Sequence, residues 1–130
     1  MLKNNKTEYK LIEKLKIEVD GSGDFPRMPT PEDEKYKLTV NKEGISIHTN
    51  TAIGAINAIS TLVQLVQCER LHKRKFDYME CHIPNGPFLI EDQPAFAYRS
   101  LLIDTSRNFI PLRRLKEVVD IMGGVKMNVL

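Results

Sequence analysis

The residues best placed to do chemistry lie near the C-terminal end. Asp104 and Arg107 stand three apart in Asp104-Thr105-Ser106-Arg107, directly after the apolar run Leu101-Leu102-Ile103. A carboxylate and a guanidinium at that spacing can pair, and position alone favours a structural ion pair. Arg99 precedes the same run. Adjacent carboxylates can share general acid and base roles, and two such pairs occur, Asp33-Glu34 and Glu91-Asp92. The first sits ahead of a hairpin and reads as a solvated turn; the second reads as a linker-side pair. Cys68, His72, Cys81 and His82 could be drawn as a zinc set, but their spacing matches no strong zinc motif. A Cys68–Cys81 disulfide is the stronger reading if the protein is secreted, with unpaired thiols as the alternative. The basic run Arg70, Lys73, Arg74 and Lys75 reads as a solvated loop.

The elements that must hold these residues follow from periodicity. Leu15, Ile17 and Val19 alternate with Lys14, Lys16 and Glu18, which predicts a half-buried strand. Gly21 to Pro31 contains two glycines and three prolines and reads as a loop. Tyr36, Leu38 and Val40, then Ile45, Ile47 and Thr49, alternate around Asn41-Lys42-Glu43-Gly44, which predicts an antiparallel hairpin. From Thr51 the period becomes helical. Asn57, Ser60, Thr61, Gln64 and Gln67 share one side, and Ile53, Ile56, Ile59, Leu62, Val63 and Val66 fill the rest. This predicts an amphipathic helix over 51–67, capped by Asn50 or Thr51. Gly54 near its start lowers helix stability by about 1 kcal/mol against Ala and suits close packing on the sheet.

Glu69 to Lys75 reads as a charged loop, Phe76 to Ile83 as a weak strand, and Pro84-Asn85-Gly86-Pro87 as a turn. After a short extended piece, Phe88 to Glu91, Pro94 ends the first unit. The unbroken run Leu101-Leu102-Ile103 predicts a strand buried on both faces. Pro111 suits a first helical turn, Leu112, Leu115, Val119 and Met122 share one helix face, and Gly123-Gly124 suits the cap. Val125 to Leu130 then begins another strand, so 101–130 reads as a βαβ unit. Such a piece leaves strand edges and helix faces uncovered, so the stop at Leu130 reads as a truncation.

Bulk properties narrow the classes. The chain has 130 residues, 42% hydrophobic and 28% charged, which places it among globular domains. A net charge of +2 is too small to argue for nucleic acid or an anionic membrane. No apolar run approaches the ~20 residues that span a bilayer. Met1 to Lys10 is polar, so no signal peptide is visible in this chain. Trp is absent, which argues against a free-standing sugar-binding module. Asn5-Lys6-Thr7 is a glycosylation sequon with Asn5 as acceptor, a triplet common by chance.

Tyr98-Arg99-Ser100-Leu101-Leu102-Ile103-Asp104-Thr105-Ser106-Arg107-Asn108 resembles the first barrel strand of family 20 glycoside hydrolases, the β-N-acetylhexosaminidases. Phe109-Ile110-Pro111-Leu112, Asp120-Ile121-Met122 and Lys126-Met127-Asn128-Val129 are similar to the family's next helix and strand, and the Arg-Asn-Phe and Lys-Met-Asn variants resemble the arthropod branch. Upstream, Glu34-Lys35-Tyr36-Lys37-Leu38, Gly54-Ala55, Leu62-Val63-Gln64-Leu65-Val66 and Ile90-Glu91-Asp92-Gln93-Pro94-Ala95-Phe96 resemble the family's N-terminal domain. Ser100 departs from the family's usual Gly, and the loop from Glu69 to His82 matches no family pattern.

The resemblance implies an α+β N-terminal domain over 1–94, an antiparallel sheet with a packed helix. The first β-α-β portion of a truncated TIM (β/α)8 barrel would follow over 95–130. It implies a parent enzyme that removes terminal β-linked N-acetylglucosamine or N-acetylgalactosamine from glycans or chitooligosaccharides. The sugar's own acetamido group would act as nucleophile, with no metal or organic cofactor. Arg107 is then the substrate-binding residue, and Asp104 and Arg99 support the site. The catalytic Asp-Glu pair would lie beyond Leu130, leaving this chain inactive alone. An extracellular or lysosomal location and a homodimer of the full-length parent are also implied. The competing expectation is a shortened, non-catalytic paralogue acting as an interaction module.

Overall fold

The computed structural model describes residues 11–21, 28–73 and 76–130. The sequon at Asn5 lies outside them. The elements are β1 (Leu15–Val19), α1 (Pro31–Glu34), β2 (Tyr36–Asn41), β3 (Gly44–Thr49), α2 (Ala52–Leu65), β4 (Gln67–Lys73), β5 (Phe76–His82), β6 (Phe88–Asp92) and α3 (Leu112–Gly124).

Four strands form a sheet in the order β1-β3-β2-β6. The predicted hairpin is β2–β3, with Leu38 opposite Ile47 and Val40 opposite Ile45. Its two-residue turn is fastened by the Asn41 side chain, whose oxygen accepts from the N–H groups of Glu43 (2.8 Å) and Gly44 (3.1 Å). β6 pairs antiparallel with the far side of β2. The sheet is nevertheless mixed, which corrects the antiparallel expectation: β1 runs parallel to β3, with Ile17 opposite Ile47. Period-two alternation carries no strand direction. The link from β1 passes through α1 to β2, and β3 then returns beside β1.

One face of the sheet holds the core. Tyr36, Leu38, Val40 and Ile47 are buried there beneath Ala58 and Leu62 of α2. Thr51 caps α2, its hydroxyl accepting from Gly54 N–H at 3.2 Å. Gly54 is required by proximity. A Cβ there would stand 2.0 Å from Thr49 Oγ1 and 2.7 Å from the Lys35 carbonyl oxygen.

Two expectations fail in the middle of the chain. The segment from Glu69 is not a loop: β4 and β5 form a separate antiparallel hairpin, with Cys68 directly opposite Cys81 and their sulfurs bonded. Glu34 is not in a solvated turn either. It ends α1 and is only 2% exposed.

The C-terminal segment departs most. The expected strand over Leu101–Ile103, and its partner from Val125, reduce to a single parallel bridge between Ser100 and Val129. Leu101 N–H donates to the Val129 carbonyl at 3.1 Å, but Leu102 is 93% exposed rather than buried. Parallel strands with unbroken apolar runs usually have both faces covered, and these residues have one bridging partner and little cover. α3 forms as expected, with Pro111 at its N-cap, but Gly123 and Gly124 belong to the helix and Val125 is its C-cap. Of its apolar face only Met122 is buried. Of the expected β-α-β portion, the structure shows α3 and the single Ser100–Val129 bridge.

Candidate functional site

Asp104 ends the apolar run by folding the chain back on its own side chain. Its Oδ1 accepts from Ser106 N–H (2.9 Å) and Arg107 N–H (3.2 Å), an Asx-type turn. Its Oδ2 lies 3.3 Å from Arg107 Nε. The Arg107 side chain is 87% exposed, so its remaining donors face solvent. A guanidinium held at one edge by a carboxylate still offers a planar row of N–H groups, suited to hydroxyl recognition. Asp104 thus sets both the backbone turn and the position of the Arg107 side chain.

Arg99 does something different. It is the centre of the seam between the sheet domain and the C-terminal segment. Its Nη2 donates to both Glu34 oxygens (2.8 and 2.6 Å), its Nη1 to the Phe96 carbonyl (2.7 Å) and its Nε to the Lys126 carbonyl (2.7 Å). Its backbone N–H donates to Asn128 Oδ1 at 3.0 Å, and its carbonyl accepts from Asn128 and Val129 N–H. Asn57 Nδ2 also donates to Glu34, at 3.1 Å. The buried carboxylate therefore has partners from α2 and from the C-terminal segment, as a buried charge requires.

A second strand of the seam runs through Tyr36. Its hydroxyl donates to Asp92 (2.9 Å) and lies 2.7 Å from Thr61 Oγ1. Lys126 Nζ sits over the ring at 5.4 Å from its centroid, 3.3 Å from Thr61 Oγ1 and 3.7 Å from Asp92. Burial pushes the Tyr36 phenol above the usual range. These groups line a cavity of about 230 Å³ whose walls include Glu34, Tyr36, Asn57, Asp92, Arg99 and Lys126. Among the described residues no buried side-chain polar atom lacks a hydrogen-bond partner, so the cavity is walled by a satisfied structural network.

The structure thus separates the sequence candidates. Asp104 and Arg107 come together at one exposed turn, Arg99 is turned back toward the sheet domain, and the Cys68–Cys81 bond lies in its own hairpin. Sequence reasoning missed Glu34, Asn57, Tyr36 and Lys126. The available signal was Asn57, a polar residue one helical turn from Thr61 on a helix that must lie on a sheet.

Comparison with known proteins supplies the context. Residues 96–130 match the model of the Glycosyl hydrolase family 20 catalytic domain, and residues 3–65 match the model described as beta-acetyl hexosaminidase like. The chain belongs to glycoside hydrolase family 20. It is 35% identical over 128 residues to Beta-hexosaminidase 1 of Arabidopsis thaliana, covering 92% of this chain and 22% of that protein. Among solved structures, the chitobiase of Flavobacterium johnsoniae aligns with a TM-score of 0.62 and 32% identity, over 88% of this chain and 15% of its own. The exo beta-N-acetylglucosaminidase from Vibrio harveyi, in complex with N-acetylglucosamine, aligns with a TM-score of 0.55 and 25% identity, over 87% and 16%. The chain spans 12–22% of the length of the curated relatives it matches. The boundary between the two family-20 models falls between residues 65 and 96, ahead of the seam centred on Arg99.

Proposed function

We propose that this chain is the N-terminal support domain and the opening of the catalytic barrel of a β-N-acetylhexosaminidase, with the domains divided near residue 94. The protein that carries it would remove terminal β-linked N-acetylglucosamine or N-acetylgalactosamine from glycans or chitooligosaccharides. The observation that carries this reading is the rim itself: a run anchored to Val129, ended by the Asp104 turn, presenting an exposed Arg107. Barrel enzymes assemble their sites at such C-terminal strand ends.

In this reading Arg107 donates to hydroxyls of the terminal sugar, and Asp104 holds it in the required plane. Asp104 is occupied by backbone N–H groups and by Arg107, so it is ill suited to proton transfer. The proton for the leaving oxygen comes from a Glu, and a neighbouring Asp orients the acetamido group, whose oxygen attacks the anomeric carbon. Both acids belong to the remainder of the barrel. The exposed Leu102, Phe109, Leu112 and Val119 are the surfaces the other barrel strands and helices would cover. The Cys68–Cys81 bond supports an extracellular or lysosomal location.

The test is hydrolysis of a chromogenic aryl N-acetylglucosaminide. The complete gene product turns it over, and Arg107→Ala lowers kcat/KM by about 10- to 100-fold, as expected for lost hydrogen bonds from a charged donor worth about 1.5–3 kcal/mol each. The 130-residue chain alone should show no turnover. Turnover by that chain, abolished by Arg107→Ala, would contradict the assignment of the acids. Full activity of the Arg107→Ala gene product would contradict the role of the arginine.

A further inference from the structure

The turn Pro84-Asn85-Gly86-Pro87 is used by neither the seam nor the Asp104–Arg107 turn, and it carries a reactive dipeptide. An asparagine side-chain amide and the backbone nitrogen of the next residue can close a five-membered ring. Glycine in that next position leaves the nitrogen unshielded and the backbone free to rotate toward the amide. The rate then depends on whether the fold holds either group.

Here the fold holds neither. Asn85 and Gly86 are both exposed, in the connection that leads from β5 to β6. Asn85 lies in the left-handed region, with φ 61°. Among the described residues its side chain has no hydrogen-bond partner, and the Gly86 N–H donates to no carbonyl. A Cβ built on Gly86 meets nothing within 4 Å, so the space around the attacking nitrogen is open.

The same chain supplies a contrast. Asp20-Gly21 is the other Asp or Asn followed by glycine. There the Gly21 N–H donates to the Asn50 carbonyl at 3.0 Å, and Asp20 Oδ2 lies 3.0 Å from His48 Nε2. Both reacting groups are held. Asn41, Asn57 and Asn128 likewise have their side chains bonded.

We propose that Asn85 is a site of spontaneous deamidation, with isoaspartate as the main product. The Gly86 nitrogen attacks Asn85 Cγ. The N–Cγ bond forms, the Cγ–Nδ2 bond breaks, and ammonia leaves with the proton from the Gly86 nitrogen. Water then opens the succinimide. Opening at Cγ gives aspartate. Opening at the main-chain carbonyl gives isoaspartate, with the chain rerouted through Cβ and Cγ. Nothing is oxidised or reduced. Either product adds a negative charge, and isoaspartate adds a methylene to the main chain. The added length falls in the turn, while residues 88–92 of β6 stay paired with β2. The modification therefore marks the age of the molecule without undoing the sheet.

The test is a timed incubation of the complete gene product at neutral and mildly alkaline pH, read by peptide mass spectrometry. The peptide holding Asn85 should gain the mass difference between OH and NH2 and split into two isomers, the isoaspartyl one in excess. Conversion should accelerate with pH, since the attacking nitrogen must lose its proton. Gly86→Ala fits the open space and should slow conversion roughly tenfold or more, because a side chain shields and stiffens the attacking residue. Asp20 should stay unisomerised over the same time. An Asn85 that stays intact in the folded protein would overturn the proposal. So would conversion to aspartate alone, which is direct hydrolysis, or an equal rate in Gly86→Ala. An Asp20 that converted as fast as Asn85 would show that holding the two groups does not set the rate, and would overturn it too.

Discussion

Glu34 shows how much one buried charge can organise. Its carboxylate is held by Arg99 and Asn57, and it ties α1, α2 and the C-terminal segment to one point. Removing one partner of a buried pair leaves the other charge uncompensated, at about 3–5 kcal/mol. Arg99→Met should therefore lower stability by an amount near that range in urea unfolding. Arg99→Lys should recover only part of it, since an ammonium cannot reach Glu34, Phe96 and Lys126 together. An Arg99→Met protein as stable as the wild type would show the seam to be incidental. Asp33 offers a pH test at the same scale. The N–H and then the hydroxyl of Thr30 donate to it and hold its carboxyl below the usual range. A lowered native value contributes stability that is present above the unfolded aspartate pKa, about 3.9, and is lost as pH falls through the native value. Acid titration of stability should lose this contribution below about pH 4, and Thr30→Ala, which keeps the backbone N–H and removes only the hydroxyl, should flatten the profile there in part.

At the scale of elements, Gly54 and the β4–β5 hairpin carry the predictions. Gly54→Ala gains helix propensity of about 1 kcal/mol but drives a methyl group into Thr49 Oγ1 and the Lys35 carbonyl. The expected net effect is a loss of about 1–3 kcal/mol, as for overpacked cores; a stabilised variant would mean that α2 shifts freely on the sheet. The hairpin is two strands with no third among the described residues, a unit marginal by itself in water. Cys81→Ser should raise amide exchange across 67–82 while leaving β2 and β3 protected. The same elements show what the sequence made legible. α2 and β2–β3 follow from strong periodicity, because each has one face in the core. β4 was hidden because Gln67-Cys68-Glu69-Arg70-Leu71 has no apolar alternation to mark it. The direction of β1 was hidden because alternation is the same in either orientation.

For the whole molecule, the question is what joins a well-packed sheet domain to an exposed C-terminal segment. The long-range contacts that do so were not legible: Glu34 and Arg99 are 65 positions apart, and neither residue's neighbours in sequence mark it as buried. Asp104 and Arg107 were legible together because a turn three residues long needs no distant partner. Residues 98–130 should exchange amide protons faster than 36–62, since only Met122 among them is buried. Equal protection would mean that the C-terminal segment has found another cover. The central claim is that Arg107 holds the terminal sugar, and one measurement meets it directly. In a crystal structure of the complete gene product with N-acetylglucosamine bound, the Arg107 guanidinium should lie about 2.7–3.2 Å from sugar hydroxyl oxygens, with Asp104 still against its Nε. A bound sugar out of reach of Arg107 would contradict the account.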